Sequence, residues 1–93
     1  MTEHQIYTLS STTATKLTPG GTHSGYDITI QNNNSAGYVY VGGESVSTSS
    51  YGFRILPNHS ISFELPPKDH LYVVASTSNL TAAVIKIGLE SKD

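Results

Sequence analysis

Four histidines (His4, His23, His59 and His70) and a scatter of carboxylates are the side chains of this chain that could hold a metal or move a proton. A locally encoded metal site places histidines one turn or one strand repeat apart, and none of these four stands at such a spacing. Cysteine is absent, so no thiolate ligand and no disulfide is available. Serines are abundant, yet none sits in the G-x-S-x-G turn that would expose a nucleophile. Glu44 with Glu64, or Asp27 with Asp69, could be drawn as a glycosidase pair. Each of them falls where a solvated strand face or a turn would put it. The glycines at 20, 21, 42 and 43 lack the spacing and the lysine of a phosphate-binding loop. The expectation is a protein that is not an enzyme and holds no cofactor and no metal.

The segments that would have to position any site are short strands. Tyr26 to Gln31 alternates, with Tyr26, Ile28 and Ile30 on one face and Asp27, Thr29 and Gln31 on the other. Asn32 to Gly37 is a turn, because asparagine and glycine tolerate positive φ. Tyr38 to Val41 follows, most simply as the hairpin partner of the preceding strand. It is apolar on both faces, so one face is expected to lie against another subunit or sheet. Strand character returns at Tyr51–Leu56, Ser60–Leu65, Leu71–Ala75 and Ala82–Glu90, the last with Ala83, Ile85, Ile87 and Leu89 on one side. Pro57-Asn58 and the Pro66-Pro-Lys-Asp69 run mark turns. Six or seven strands at this spacing predict an all-β fold, an antiparallel β-sandwich or jelly-roll-like barrel.

Residues 1–22 read as an N-terminal arm or edge strand, set off from a β-sandwich domain over 23–93 by the breaker Pro19-Gly20-Gly21. Ile6, Tyr7 and Leu9 are the arm's apolar cluster, suited to binding along a neighbouring subunit or another protein surface, with completion of the domain's own sheet as the alternative; removal of residues 1–10 is expected to leave the body folded. Tyr38, Tyr40, Tyr51 and Phe53 flank one Ser-rich loop with Arg54 nearby. Tyrosine and arginine are enriched at interface hot spots. These eight residues are the expected oligomer interface or docking surface for another protein. Ordinary strand packing and sugar stacking are the alternative uses of the aromatics.

The formal net charge is −2 and 13% of the residues are charged, which leaves no basic footprint for a phosphate backbone. No apolar run approaches the ~20 residues of a helical membrane span. The start, Met1-Thr-Glu-His-Gln5, is polar with no apolar run behind it, unlike a secretory signal. Neither nucleic acid nor membrane is therefore an expected partner. A 93-residue chain without disulfides has a marginal core, and oligomerisation would supplement it.

Ile28-Thr-Ile-Gln-Asn32, Val39-Tyr-Val-Gly-Gly43, the Ser45–Ser50 loop, Leu56-Pro-Asn-His-Ser60, Leu71-Tyr-Val-Val-Ala75 and Val84-Ile-Lys-Ile87 follow one another in an order that resembles small β-sandwich virion proteins of tailed bacteriophages, of the capsid decoration (cement) or head-fibre type. The likeness covers roughly two thirds of the chain, domain-sized coverage. It departs at Asn58, where the pattern carries glycine. The resemblance implies a virion structural protein assembled in the bacterial host cytoplasm, foremost an outer-capsid decoration protein. It implies a homotrimer or other homo-oligomer whose other partner is the major capsid protein. A tail, neck or fibre component, or a carbohydrate-binding module using surface tyrosines, are the other readings.

Overall fold

The computed structural model describes residues 2–18 and 25–88. The Pro19-Gly20-Gly21 breaker, His23 and the Leu89–Glu90 end of the last predicted strand lie outside these residues. Among the described residues eight strands form: β1 (Glu3–Thr8), β2 (Thr15–Lys16), β3 (Tyr26–Gln31), β4 (Val39–Gly42), β5 (Phe53–Ile55), β6 (Ser60–Leu65), β7 (Tyr72–Ala75) and β8 (Thr81–Ile87). Among the described residues there is no helix. None is therefore long and apolar enough to cross a membrane.

The strands make two four-stranded antiparallel sheets, one ordered β1-β8-β3-β6 and the other β2-β7-β4-β5. The pairs β1·β8, β2·β7, β3·β6 and β4·β5 are nested along the chain like a long ribbon folded at the β4–β5 loop and then rolled. That is the strand order of an eight-stranded jelly roll. Only the β4–β5 connection stays within one sheet; every other connection crosses from one sheet to the other.

This topology overturns the expected hairpin between Tyr26–Gln31 and Tyr38–Val41, which belong to opposite sheets. The reason lies in burial. Ile28, Ile30, Val39, Val41 and Val73 are fully or almost fully buried in one core. Stacking β3 over β4 lets their apolar faces meet; pairing them edge to edge would not. The link between them turns on Asn32, whose side chain is fully buried. Its Nδ2 donates to Gly37 O at 3.0 Å and to Ile55 O at 2.9 Å. Its Oδ1 accepts from the backbone N–H of Asn34 at 3.1 Å and from Asn34 Nδ2 at 2.7 Å. Asn34 in turn donates to Thr81 O at 2.7 Å and accepts from Thr81 N at 3.1 Å. Two asparagines thus tie β5 of one sheet to the start of β8 in the other.

The first segment is built into both sheets. All six residues of β1 pair with β8, and β2 pairs with β7. Between them Leu9 and Leu17 enter the core at 2% and 0% exposure. Leu9 N donates to Leu80 O at 2.8 Å, while Leu9 O accepts from Asn79 N at 2.9 Å. Residues 3–18 therefore complete the body as edge strands; they do not hang from it as an arm. β2 was missed in the sequence because two residues carry no readable period.

The covered outer face of β4 also has an internal explanation. Tyr40 and Val74 on that face are buried with Val46, which the β4–β5 loop folds back over them. The chain's own loop supplies the cover expected from another subunit. In β8 the core takes Ala82 and Val84, so Ala83, Ile85 and Ile87 face away from it, with Ile85 and Ile87 exposed.

At the Leu56–His59 turn His59 N donates to Leu56 O at 3.0 Å, and Asn58 has φ 63°. Proline at the second position and a left-handed residue at the third define a type II turn. Asn58 therefore holds the conformation that its departure from glycine required. Asn58→Gly should change stability by no more than about 0.5 kcal/mol, and Asn58→Val should cost about 1–2 kcal/mol, because a β-branched residue is strained there. Urea denaturation of the two variants measures the difference.

Candidate functional site

The eight residues expected at an interface separate onto four parts of the molecule. Tyr38, Tyr40, Tyr51 and Arg54 do converge, on the outer face of the β2-β7-β4-β5 sheet. The Tyr40 and Tyr51 rings lie 4.6 Å apart and tilted by 42°; Tyr38 and Tyr40 lie 6.4 Å apart. The Arg54 guanidinium sits 4.8 Å over the Tyr38 ring, a cation–π contact. Tyr38, Tyr51 and Arg54 are exposed, while Tyr40 is buried beneath them. Phe53 points the other way, to the open flank between β5 and β6, where its half-exposed ring meets Phe63 edge-on at 5.7 Å.

The residues of the first segment go elsewhere. Ile6 faces outward from the β1-β8-β3-β6 sheet and is 63% exposed. Tyr7 faces inward, half-buried, and its hydroxyl accepts from Lys86 Nζ at 3.2 Å. Leu9 is a core residue and offers nothing to a partner.

A second surface emerges around Ile6. Cross-strand register puts His4 and Ile6 beside Ile85 and Ala83, and puts Asp27, Thr29 and Gln31 beside Ile87, Ile85 and Ala83. Ser60, Ser62 and Glu64 complete that face on β6. It contains a shallow, open concavity of about 490 Å³ whose lining includes Ile6, Thr29, Gln31, Ser60, Ala83 and Ile85. An apolar stripe of Ile6, Ile85 and Ile87 is thus framed by polar groups, uncharged at Thr29, Gln31, Ser60 and Ser62 and ionisable at His4, Asp27 and Glu64. The readable signal was β8 itself, where apolar residues occupy both faces.

Among the described residues no three histidine, aspartate or glutamate side chains form a group that could hold a metal ion. Glu44 lies in the β4–β5 loop, while Glu64 faces out of the opposite sheet, so the first carboxylate pair is separated by the body of the fold. Asp27 instead finds Glu64 directly opposite it across β3 and β6. His70 Nδ1 is engaged with the Thr18 hydroxyl at 2.7 Å, and His59 Nδ1 with Pro57 O at 2.9 Å.

One group has a clearly perturbed proton affinity. Burial pushes the Tyr26 phenol up to about 12, with smaller contributions from Tyr7 and Glu3. The unfolded chain would release this proton near 10. Below that value both states keep it and stability is unaffected. Between 10 and 12 the unfolded state binds fewer protons than the native one, so stability falls as pH rises. Spectrophotometric titration should show one of the six tyrosines ionising last, near 12, and Tyr26→Phe should remove that step.

Comparison with protein-family models, with curated proteins and with solved structures finds no match to this chain.

Proposed function

We propose that the protein is a non-enzymatic structural component of a tailed-bacteriophage virion, foremost an outer-capsid decoration protein that acts as a homotrimer on the major capsid protein. The observation that carries the reading is where the apolar side chains lie. Ile6, Ile85 and Ile87 are exposed at 63%, 37% and 49% along one broad sheet face, with Thr29 and Gln31 beside the stripe and Asp27 and Glu64 at one end of it. A stripe of that kind suits docking on another protein surface. The residue pattern shared with phage virion β-sandwiches supplies the kind of partner. Jelly rolls recur in viral capsid domains, a fold-level analogy that agrees with it. Assembly would take place in the host cytoplasm.

The test is fractionation of purified virions into heads and tails, followed by mass spectrometry. The protein should remain with the heads, and Ile85→Lys should release it at least ten-fold while leaving the isolated domain folded. Recovery with tails would replace decoration by a tail, neck or fibre role. Absence from particles would overturn the reading.

Stacked Tyr40 and Tyr51 beside Tyr38 favour the carbohydrate-binding alternative. The tilts of 42° and 59° deny a sugar one continuous flat platform. Saturable binding on a glycan array, lost in Tyr51→Ala, would establish it.

A further inference from the structure

The β1-β8-β3-β6 sheet ends on two six-residue strands, β1 on one side and β6 on the other. Both pair without interruption to their inner neighbours, and neither contains a proline, a lysine or a bulge. These are the devices that usually keep an edge from pairing with another chain. All neighbours in the sheet are antiparallel, so β1 and β6 run in opposite directions. A second copy placed beside the first would therefore continue the same antiparallel sheet.

We propose that copies of this chain associate head to tail through β1 of one and β6 of the next. Residues opposite one another in an antiparallel pair share a face. His4 and Ile6 face outward with Ile85 and Ala83; Ser60, Ser62 and Glu64 face outward with Gln31, Thr29 and Asp27. The register that keeps faces matched and uses all six residues of each strand sets His4 opposite Glu64, Ile6 opposite Ser62 and Thr8 opposite Ser60. On the inner side it sets Tyr7 opposite Ile61 and Gln5 opposite Phe63.

Charge favours this occupant over pairing β6 with a second β6. Within one copy Glu64 stands opposite Asp27, and like charges directly opposite are destabilising. The register brings the neighbour's His4 to Glu64, where an imidazole N–H can donate to the carboxylate. Pairing β6 with β6 of a second copy, faces matched, sets only Ser60, Ser62 or a second Glu64 opposite Glu64. The same flank carries half-exposed Phe53 against Phe63, and the neighbour's β1 would cover both. Ile6 and Tyr7 on one edge and Phe53 on the other, parted by the fold, meet again across this contact. A head-to-tail contact closes into a ring or runs on as a filament. The proposal deepens the homo-oligomer part of the reading above and rests on that part, not on the virion.

The chain has no cysteine, so single cysteines can be placed cleanly. Ile6→Cys protein and Ser62→Cys protein, both at exposed positions and leaving His4 and Glu64 intact, are mixed with a short bismaleimide linker. The expected result is a covalent dimer in the mixture at least ten-fold above that in either protein alone. The doubly substituted chain should give a ladder whose last band counts the copies in the ring, three for a trimer. His4→Glu should lower association at least ten-fold by light scattering, and His4→Lys should retain it. Cross-linking of Ser62→Cys with itself, or a monomer mass at 100 μM, would overturn the proposal. If cross-links form but the protein is missing from virions, the contact stands and the virion reading fails.

Discussion

Removing residues 1–10 should abolish cooperative folding, or lower the melting temperature by more than about 20 °C. The deletion takes away an entire edge strand, whose six residues all pair with β8. It also removes Leu9, which is 2% exposed in the core and whose backbone is bonded to Leu80 and Asn79. Loss of a buried leucine alone costs about 2–5 kcal/mol. Stripping β1 from β8 adds the lost cross-strand pairs and uncovers the inner face at Ala82 and Val84. A small domain has only about 5–15 kcal/mol in total. The control is Ile6→Ser: this side chain is 63% exposed, so the change should shift stability by less than about 0.5 kcal/mol. Thermal unfolding followed by circular dichroism compares the two. A truncated chain that melts like the full one would show that residues 3–9 are dispensable to the sandwich.

Asn32→Ala should cost about 3–5 kcal/mol, the second large effect. The side chain is fully buried and makes four hydrogen bonds, two donated and two accepted. Truncation leaves the Gly37 and Ile55 carbonyls and the Asn34 N–H groups without their partner, and each abandoned buried group carries about 1–3 kcal/mol. Water entering the space would offset part of this. Asn32→Asp tests the same idea with no change in size. The carboxylate cannot donate to the two carbonyls and would face their oxygens, so it should be at least as damaging as alanine. Chemical denaturation measures both. Loss of less than about 1 kcal/mol in either variant would show that this hub is not what joins the sheets.

These two effects also mark the limit of reading the residues in order. Alternation in Tyr26–Gln31 and Ser60–Leu65 specified strands with a buried and a solvent face, and the structure shows those faces. Pro57-Asn58 and Pro66-Pro67-Lys68-Asp69 specified turns. Lys68 and Asn58 take the left-handed conformation, at φ 68° and 63°, that closes them. Aromatics with an arginine around one loop specified a cluster, and four of the five named residues form it. Such features are local: a period of two, a fixed φ, or a short separation along the chain determines each of them.

Pairing was beyond that reach. β1 meets β8 and β3 meets β6 because a ribbon rolled on itself buries both apolar faces at once, and no local pattern states which strands lie opposite. For the same reason Leu9 and Ile6, three residues apart in one segment, became a core residue and an exposed one. The β4–β5 loop looked like polar spacer, yet folding over Tyr40 and Val74 made Val46 a buried residue. β8 is apolar on both faces, and only its position between β1 and β3 determined that Ala82 and Val84 would turn inward, leaving Ile85 and Ile87 exposed. The chain by itself determined strands, turns and a surface of low charge; tertiary packing decided which edges and faces remain open, because burial is settled by neighbours distant in sequence.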